Sequence, residues 1–297
     1  MTTPDLSLIF VADGRGLEIL SWPLVSSIAA AHDGAAPVQA IAYCSVASEG
    51  DLHPVTRALY AACNVEVRAL APPPDWKTPY PHGNKIIAAA DLRPSQRTVF
   101  LDTDMVCLAP LTEMGGLPDD VVAATPEGTP TWGRDSDRWD RAYAHFGMDM
   151  PTDRVILVRG RKIEYVPYFN AGFVAIPDTP DATGQTFGQQ WLDTAVEFDR
   201  NCSVGGKRPW VDQITIPLTI KRFGYSYRAL DDTWNYALTR RKDFADTHAC
   251  KILHFHLIEH LQEAPQYPAI MAKLFDHLPA KHHDAARDVL REKGFSL

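Results

Sequence analysis

Two carboxylates one residue apart, Asp102 and Asp104, interrupt the apolar stretch RTVFLDTDMVCL (97–108). Val99, Phe100 and Leu101 precede them and predict a buried strand; Met105 and Val106 resume the apolar run. Two anions at the end of a buried strand cost free energy through desolvation and mutual repulsion. A divalent cation offsets that cost. Mg2+ or Mn2+ takes oxygen ligands and can bridge protein carboxylates to a diphosphate, neutralising a leaving phosphate. The competing chemistry is a carboxylate nucleophile. Two solvated carboxylates capping a strand end rank third in this buried context.

Other residues of chemical interest are dispersed. YFNAGFVAIP (168–177) sets Asn170, Ala171 and Gly172 inside an apolar strand, where glycine marks either close approach of a ligand or a β-bulge. WVDQITIPL puts Asp212 and Gln213 at the start of an apolar helix, where an acid serves as an amino-terminal cap. KILHFHL (251–257) reads as a strand with His254 and His256 on one face, a candidate metal-ligand pair. Lys85 opens the helix NKIIAAADL (84–92) and is either a phosphate contact or a surface lysine. Trp132, Trp139, Tyr143, Phe146, Tyr165 and Tyr168 form either a sugar-stacking platform or a small core.

The elements that must position these residues alternate. Strands are expected at 6–12, 38–45, 65–70 and TVFLDTD, with helices at 18–31, 53–63 and 84–92 between them. This order predicts an α/β fold with a mostly parallel central sheet flanked by helices. Ligands of such sheets gather at strand carboxyl ends, where Asp13 and Asp102 fall. Beyond residue 125 the chain turns polar and aromatic, returning to helices at GQTFGQQWLDTAVEFDRN and VDQITIPLTIKRFG. Two amphipathic helices are expected over 267–293. One composite domain, 1–260, is expected, with a nucleotide-binding half (1–125), an acceptor and donor-sugar half (126–260) and a helical tail (261–297).

Composition narrows the partners. The 297 residues are 45% hydrophobic and 22% charged, with 29 basic and 37 acidic residues, a net charge of −8. A net anion is not built to neutralise nucleic-acid phosphates. The five cysteines follow no CxxC spacing, which fits free thiols in a reducing cytoplasm. The start MTTPDLSLIF carries no basic region of a signal peptide, and no apolar run reaches the ~20 residues of a membrane span. The tail mixes both charges, so packing on the body is expected over peripheral membrane contact.

The order of these motifs resembles a family. A first strand ending in ADG, then NKIIAAADL, TVFLDTD, YFNAGFVAI, VDQ, WNY and ILHF, over residues 6–256, is similar to the glycogenin and lipopolysaccharide galactosyltransferase family. These are GT8-type retaining glycosyltransferases of GT-A fold. The resemblance implies that Asp102, Asp104 and His254 hold Mn2+ (or Mg2+), which binds the diphosphate of a UDP-sugar. Ala12 and Asp13 would touch the uridine, and Thr103 belongs to the same donor-binding stretch. Lys85 would contact the donor sugar or its phosphate, with Asn170, Ala171 and Gly172 beside the sugar. Asp212 and Gln213 would lie near the anomeric carbon and stabilise an oxocarbenium-like state. UDP then leaves with metal assistance, and a hexose passes to a glycan or lipid-linked acceptor with retention.

The family's xGxxKPW after HF is replaced by HLIEHLQ, so its diphosphate-binding lysine is missing. Lys251, Arg240 or Arg241 are candidate substitutes, and His256 rivals His254 as the ligand. A non-catalytic nucleotide-sugar-binding relative is one alternative. The other is a haloacid-dehalogenase-type phosphatase, whose hhhDxDx(T/V) motif the Asp102 stretch also resembles. That motif usually lies on the first strand, and no later Gly-Asp pair follows it here.

Overall fold

The computed structural model describes residues 5–36, 38–45, 51–239, 247 and 249–297. In chain order the first elements are β1 (Leu6–Val11), α1 (Gly14–Ala31), β2 (Val38–Cys44), α2 (Pro54–Ala62) and β3 (Val65–Ala69). Next come α3 (Asn84–Ala90), β4 (Arg97–Leu101), β5 (Met105–Cys107), β6 (Val121–Pro126) and α4 (Arg138–His145). Then follow β7 (Val155–Ile156), β8 (Glu164–Tyr165), β9 (Phe169–Pro177), α5 (Phe187–Asn201), α6 (Val211–Phe223) and β10 (Ser226–Ala229). The chain ends with β11 (Tyr236–Ala237), β12 (Ile252–His254), α7 (Ile258–Glu263), α8 (Tyr267–His277) and α9 (His283–Lys293). The fold is mixed α/β around a mostly parallel sheet, as the alternation of apolar runs and amphipathic segments predicts. It divides into two compact units.

The first unit comprises Met1–Leu70, Leu101–Gly116 and Asp232–Leu297. Its strands β1, β2 and β3 are parallel, with Leu8 opposite Ala40 and Ala40 opposite Val65. All six residues of β1 are buried, which is why LSLIFV, with only Ser7 polar, reads as an apolar run rather than an alternation. α1 packs against α8 and β5. A second sheet in this unit sets β12 between β11 and β5. It pairs His254 with Met105 antiparallel and with Ala237 parallel. The expected strand 251–257 is therefore shorter than the apolar pattern suggested, and α7 begins four residues after it.

The second unit comprises Ala71–Phe100 and Leu117–Asp231. Here the strand order is β10-β6-β9-β4. β10 and β6 are parallel, while β6 and β9 are antiparallel. Their register runs through Ala124 opposite Val174 and then jumps to Pro126 opposite Phe169. Thr125 thus stands against residues 170–173, and β9 bulges across Asn170, Ala171 and Gly172. α5 is opened by a capping box in which Thr186 and Gln189 satisfy each other's backbone N–H groups. α3 meets α5 closely enough that a Cβ on Gly188 would lie 2.0 Å from the Ala89 carbonyl oxygen, so only glycine fits there. α6 ends at Gly224, whose φ of 75° is the left-handed conformation of a helix stop.

Candidate functional site

In the first unit the three-stranded sheet carries an acid between two imidazoles. Nε2 of His254 lies 3.3 Å from Oδ2 of Asp104, and Nδ1 of His256 lies 3.6 Å from the same oxygen. Ligand atoms of Asp104, His254 and His256 all fall within 4.8 Å of one another, a spacing that suits one metal ion. The backbone holds the acid close to the histidines, because Phe255 N–H donates to the Asp104 carbonyl at 3.0 Å. Nδ1 of His254 lies 2.9 Å from Oδ1 of Asn235 in the WNY stretch. An amide oxygen only accepts, so Nδ1 carries a proton there and Nε2 faces Asp104. Burial pushes the Asp104 carboxyl up, but the His254 imidazole, with His256 behind it, drives it well below the usual carboxylate range. An acid and an imidazole oriented by an outer hydrogen bond suit a divalent cation, which takes the place of the proton on Nε2.

His256 reaches this cluster differently from the alternation expected of a strand. It lies beyond the end of β12, with φ at 56°, and is exposed where His254 is buried. The left-handed turn, not strand periodicity, returns its ring to the same carboxylate.

The other expected donor residues of this unit have their own places. Asp13 precedes α1, and its carboxylate accepts from the amide and the hydroxyl of Ser45. Ala12 N–H donates to the Tyr43 carbonyl at 2.9 Å, continuing the pairing of β1 with β2. Asp102 is half-buried and Thr103 buried between β4 and β5, and Asp102 is not one of the three clustered groups. Lys251 is engaged by Glu113 at 3.0 Å and stacks over Trp234, its ammonium 4.0 Å from the ring centre. Arg240 and Arg241 lie outside the described residues.

The second unit gathers the remaining candidates. Nζ of Lys85 lies 3.3 Å from Oδ2 of Asp212 and donates to the Ala171 carbonyl at 3.2 Å. Asp212 is not the expected helix cap. Trp210 occupies that position, and Asp212 sits inside the first turn of α6 with its carboxylate turned to Lys85 and Tyr80. The Tyr80 phenol oxygen lies 2.8 Å from Asp212 Oδ1 and 2.7 Å from the Pro209 carbonyl, and accepts from the Asp212 amide at 3.1 Å. Burial, then the Asp212 charge, raises that phenol far above its ordinary pKa, so it stays a proton donor. Gln213 accepts from the Tyr168 phenol at 2.7 Å.

The β9 bulge is organised from inside. Asn170 Nδ2 donates to Glu127 Oε2 at 2.9 Å, while its Oδ1 accepts from Gly172 N–H at 2.9 Å. Glu127 is buried and also accepts from Gly128 N–H at 2.7 Å. Tyr80, Glu127 and Asn235 carry the positioning of the candidate residues, and sequence reasoning assigned none of them a role. Only Asn235 stood in a motif, WNY. Of the aromatic group, Trp132, Trp139, Tyr143 and Tyr168 are buried, and Trp139 meets Trp132 and Tyr168 edge-on at 4.7 and 5.5 Å. They are core, which decides against an exposed stacking platform for these four.

The fold is that of the GT-A glycosyltransferases, and the transferase class comes from a family match. The chain belongs to the Rhodobacterales glycosyltransferase domain family, whose model matches residues 8–224. No curated protein matches it. Among solved structures it is similar to the galactosyltransferase LgtC in complex with donor and acceptor sugar analogs, at 14% identity and a TM-score of 0.56. That match covers 94% of this chain and 99% of LgtC. It is similar to the bifunctional glycosyltransferase WbbM at 13% identity and a TM-score of 0.54, covering 92% of this chain and 52% of WbbM. It also resembles glycosyltransferase GlyE of Streptococcus pneumoniae TIGR4 at 12% identity and a TM-score of 0.54, covering 96% of this chain and 63% of GlyE. The chain therefore spans about half of WbbM and nearly all of LgtC. At these identities the likeness establishes the fold, and the family match establishes the transferase class over the phosphatase alternative.

Proposed function

We propose that the protein is a metal-dependent retaining glycosyltransferase that moves a hexose from a UDP-sugar to a glycan or lipid-linked acceptor in the cytoplasm. The observation that carries this reading is the Asp104 carboxylate between His254 and His256, with His254 fixed by Asn235. Asp104 and His254, joined by Asp102 as the resemblance implies, hold the cation. An imidazole ligand beside the carboxylates favours Mn2+ over the harder Mg2+, which prefers oxygen ligands and retained water. When bound, the ion supplies positive charge that stabilises the departing diphosphate.

The chain's own residues do the rest. Asp13 and the backbone of Ala12 receive the uridine. Lys85 approaches the donor's sugar or phosphate, its reach limited by Asp212 and the Ala171 carbonyl. The Asn170–Gly172 bulge, held by Glu127, lies beside the sugar and turns backbone groups out of the sheet pairing. Asp212 and Gln213 stand by the anomeric carbon, where Asp212 stabilises the positive charge that develops as UDP leaves. Solved LgtC structures include an active-site variant exchanging a glutamine for glutamate, and Gln213 is the glutamine this reading assigns to such a role. Five free cysteines, with no disulfide, support the cytoplasmic placement. No helix among the described residues is long and apolar enough to cross a membrane.

The direct test is calorimetric titration with UDP, first with Mn2+ and then with EDTA. Binding in the micromolar range, on the order of −8 kcal/mol, that vanishes with EDTA and in Asp104→Ala is expected. Binding unchanged by Asp104→Ala refutes the assignment. Release of the hexose from a UDP-hexose, with its anomer read by NMR, then tests turnover and retention.

A further inference from the structure

In the second unit, α5 ends on an acid that its position argues against. Asp199 lies in the last turn of the helix, where the dipole disfavours an anion, and it is 2% exposed. Two basic residues offset this. Lys207 Nζ donates to the carbonyls of Phe198, Asp199 and Cys202 at 2.9, 2.7 and 2.8 Å, closing the carboxyl end of the helix. Arg208 meets the Asp199 carboxylate as a fork, with Nε 3.2 Å from Oδ1 and Nη2 2.7 Å from Oδ2. A buried ion pair often stabilises a fold no more than apolar residues of the same volume. A local preference broken in this way points to a task beyond stability.

The same pair grips the Pro-rich segment that precedes α3. Arg208 Nη1 donates to the Pro79 carbonyl at 3.1 Å and Nη2 to the Thr78 carbonyl at 2.9 Å. Lys77 N–H donates to Asp199 Oδ2 at 2.9 Å. The guanidinium lies over the Tyr80 ring, 4.3 Å from its centre. Trp76 meets that ring edge-on at 5.4 Å, and a Cβ on Gly83 would come within 2.8 Å of it. Arg208, Trp76 and Gly83 thus fix the plane of the ring, whose phenol donates to Asp212 Oδ1 and accepts from the Asp212 amide.

We propose that Asp199 and Arg208 are positioning residues for the transfer step, holding the Asp212 carboxylate in place through Tyr80. The inference rests on the glycosyltransferase reading, and it adds what aims the acid that reading sets by the anomeric carbon. Tyr80 donates to Oδ1 of Asp212 and Lys85 pairs with Oδ2, so both oxygens are held. Arg208 sets where the phenol stands, and Asp199 sets where Arg208 stands. A catalytic group misplaced by about 1 Å can lower a rate about 100-fold. A staple that served the loop alone would change stability and leave the transfer rate as it was.

The test uses the full chain carrying Arg208→Lys, which keeps a cation beside Asp199 and loses the fork. Amide hydrogen exchange is followed by NMR without metal or donor. The Asp212 N–H, held by Tyr80, should exchange at least about tenfold faster than in wild type. The Ile214 N–H, which donates to the Trp210 carbonyl at 2.9 Å in the same turn, should keep its protection. Unchanged exchange at Asp212 overturns the proposal, as does equal loss at both amides, which marks a general loosening of α6. Hexose release from a UDP-hexose with Mn2+ reads the consequence. The kcat should fall about 10–100-fold, with KM for the donor within about twofold of wild type. Adding Arg208→Lys to Tyr80→Phe should cause no further loss, because the effect passes through the phenol. A kcat equal to wild type, a loss confined to KM, or a full second loss in the double variant overturns the proposal. If Arg208→Lys fails to fold by circular dichroism, Asp199→Asn, which keeps the shape of the side chain, is carried through the same measurements. Wild type that releases no hexose refutes the transferase reading, and the exchange result then decides the clamp by itself.

Discussion

Asn235 Oδ1 lies 2.9 Å from Nδ1 of His254, and both side chains are buried. This contact keeps a proton on Nδ1 and so orients Nε2 toward Asp104. Groups behind a metal ligand typically change affinity about 10–100-fold when removed. Asn235→Leu is accordingly expected to weaken Mn2+ binding by about 10–100-fold, read by electron paramagnetic resonance titration. Asn235→Asp keeps an acceptor at that position and should restore most of the loss. Equal affinity in wild type and Asn235→Leu would show that the tautomer is set by something else.

The two histidines should not be equivalent. His254 is buried and 3.3 Å from Asp104, whereas His256 is more exposed and 3.6 Å away on a left-handed turn. A pre-oriented ligand loses less freedom on binding. His254→Ala is expected to abolish Mn2+-dependent UDP binding, and His256→Ala to weaken it by a smaller factor. The reverse order would make His256 the principal ligand.

Lys85 and Asp212 form an ion pair whose side chains are 11% and 6% exposed. Removing one partner of such a pair leaves a buried uncompensated charge, at a cost of about 3–5 kcal/mol. Lys85→Met should lower stability by that order in urea unfolding, and Lys85→Met with Asp212→Asn should recover a substantial part. Simple additivity of the two single changes would mean that the charges do not interact.

The parts legible in the sequence were those with local causes. β1 and β9 announced themselves as largely apolar runs because both faces are mostly covered, and α8 and α9 as amphipathic periods. Asp104 stood out because a carboxylate followed a buried strand. What was not legible depends on pairing between distant segments. Asn235 faces His254 only because β11 and β12 lie side by side. Glu127 fell in the polar, aromatic stretch beyond residue 125, and its role comes from Asn170 across the β6–β9 irregularity. Asp212 satisfied the composition of a helix cap, yet Tyr80, from a Pro-rich segment 132 residues away, turns it inward. The positive φ of His256 could not be foreseen, since only a few per cent of residues other than glycine adopt that conformation.

Burial pushes the thiols of Cys44, Cys63 and Cys107 up to about 12 from 9.0, with the Glu18 and Asp13 charges adding to the effect at Cys44. At about pH 8 the folded protein should leave these three unmodified by iodoacetamide, with mass spectrometry showing alkylation only after denaturation. Their folded-state pKa values are raised, so their contribution to stability is intact below about 9 and is lost as pH rises toward about 12. Alkylation of Cys44 or Cys107 in the native state would contradict the packing.

His32 supplies the matching acid limb. It closes α1, with Nδ1 2.9 Å from the Ile28 carbonyl and Nε2 accepting from Leu111 N–H at 3.0 Å. One proton on Nδ1 satisfies both contacts, and a second on Nε2 would set two donors against each other. Burial lowers its pKa from 6.5, and the Ile28 carbonyl only partly opposes the shift. Above 6.5 the ring is neutral in both folded and unfolded chains, and stability is complete. As pH falls through 6.5 the unfolded chain takes the proton first, so stability declines until the lower folded-state pKa is reached. Urea unfolding at about pH 8 and about pH 5 should show wild type losing more stability than His32→Gln, whose amide oxygen accepts from Leu111 at any pH. Equal losses in the two proteins would place the acid sensitivity elsewhere.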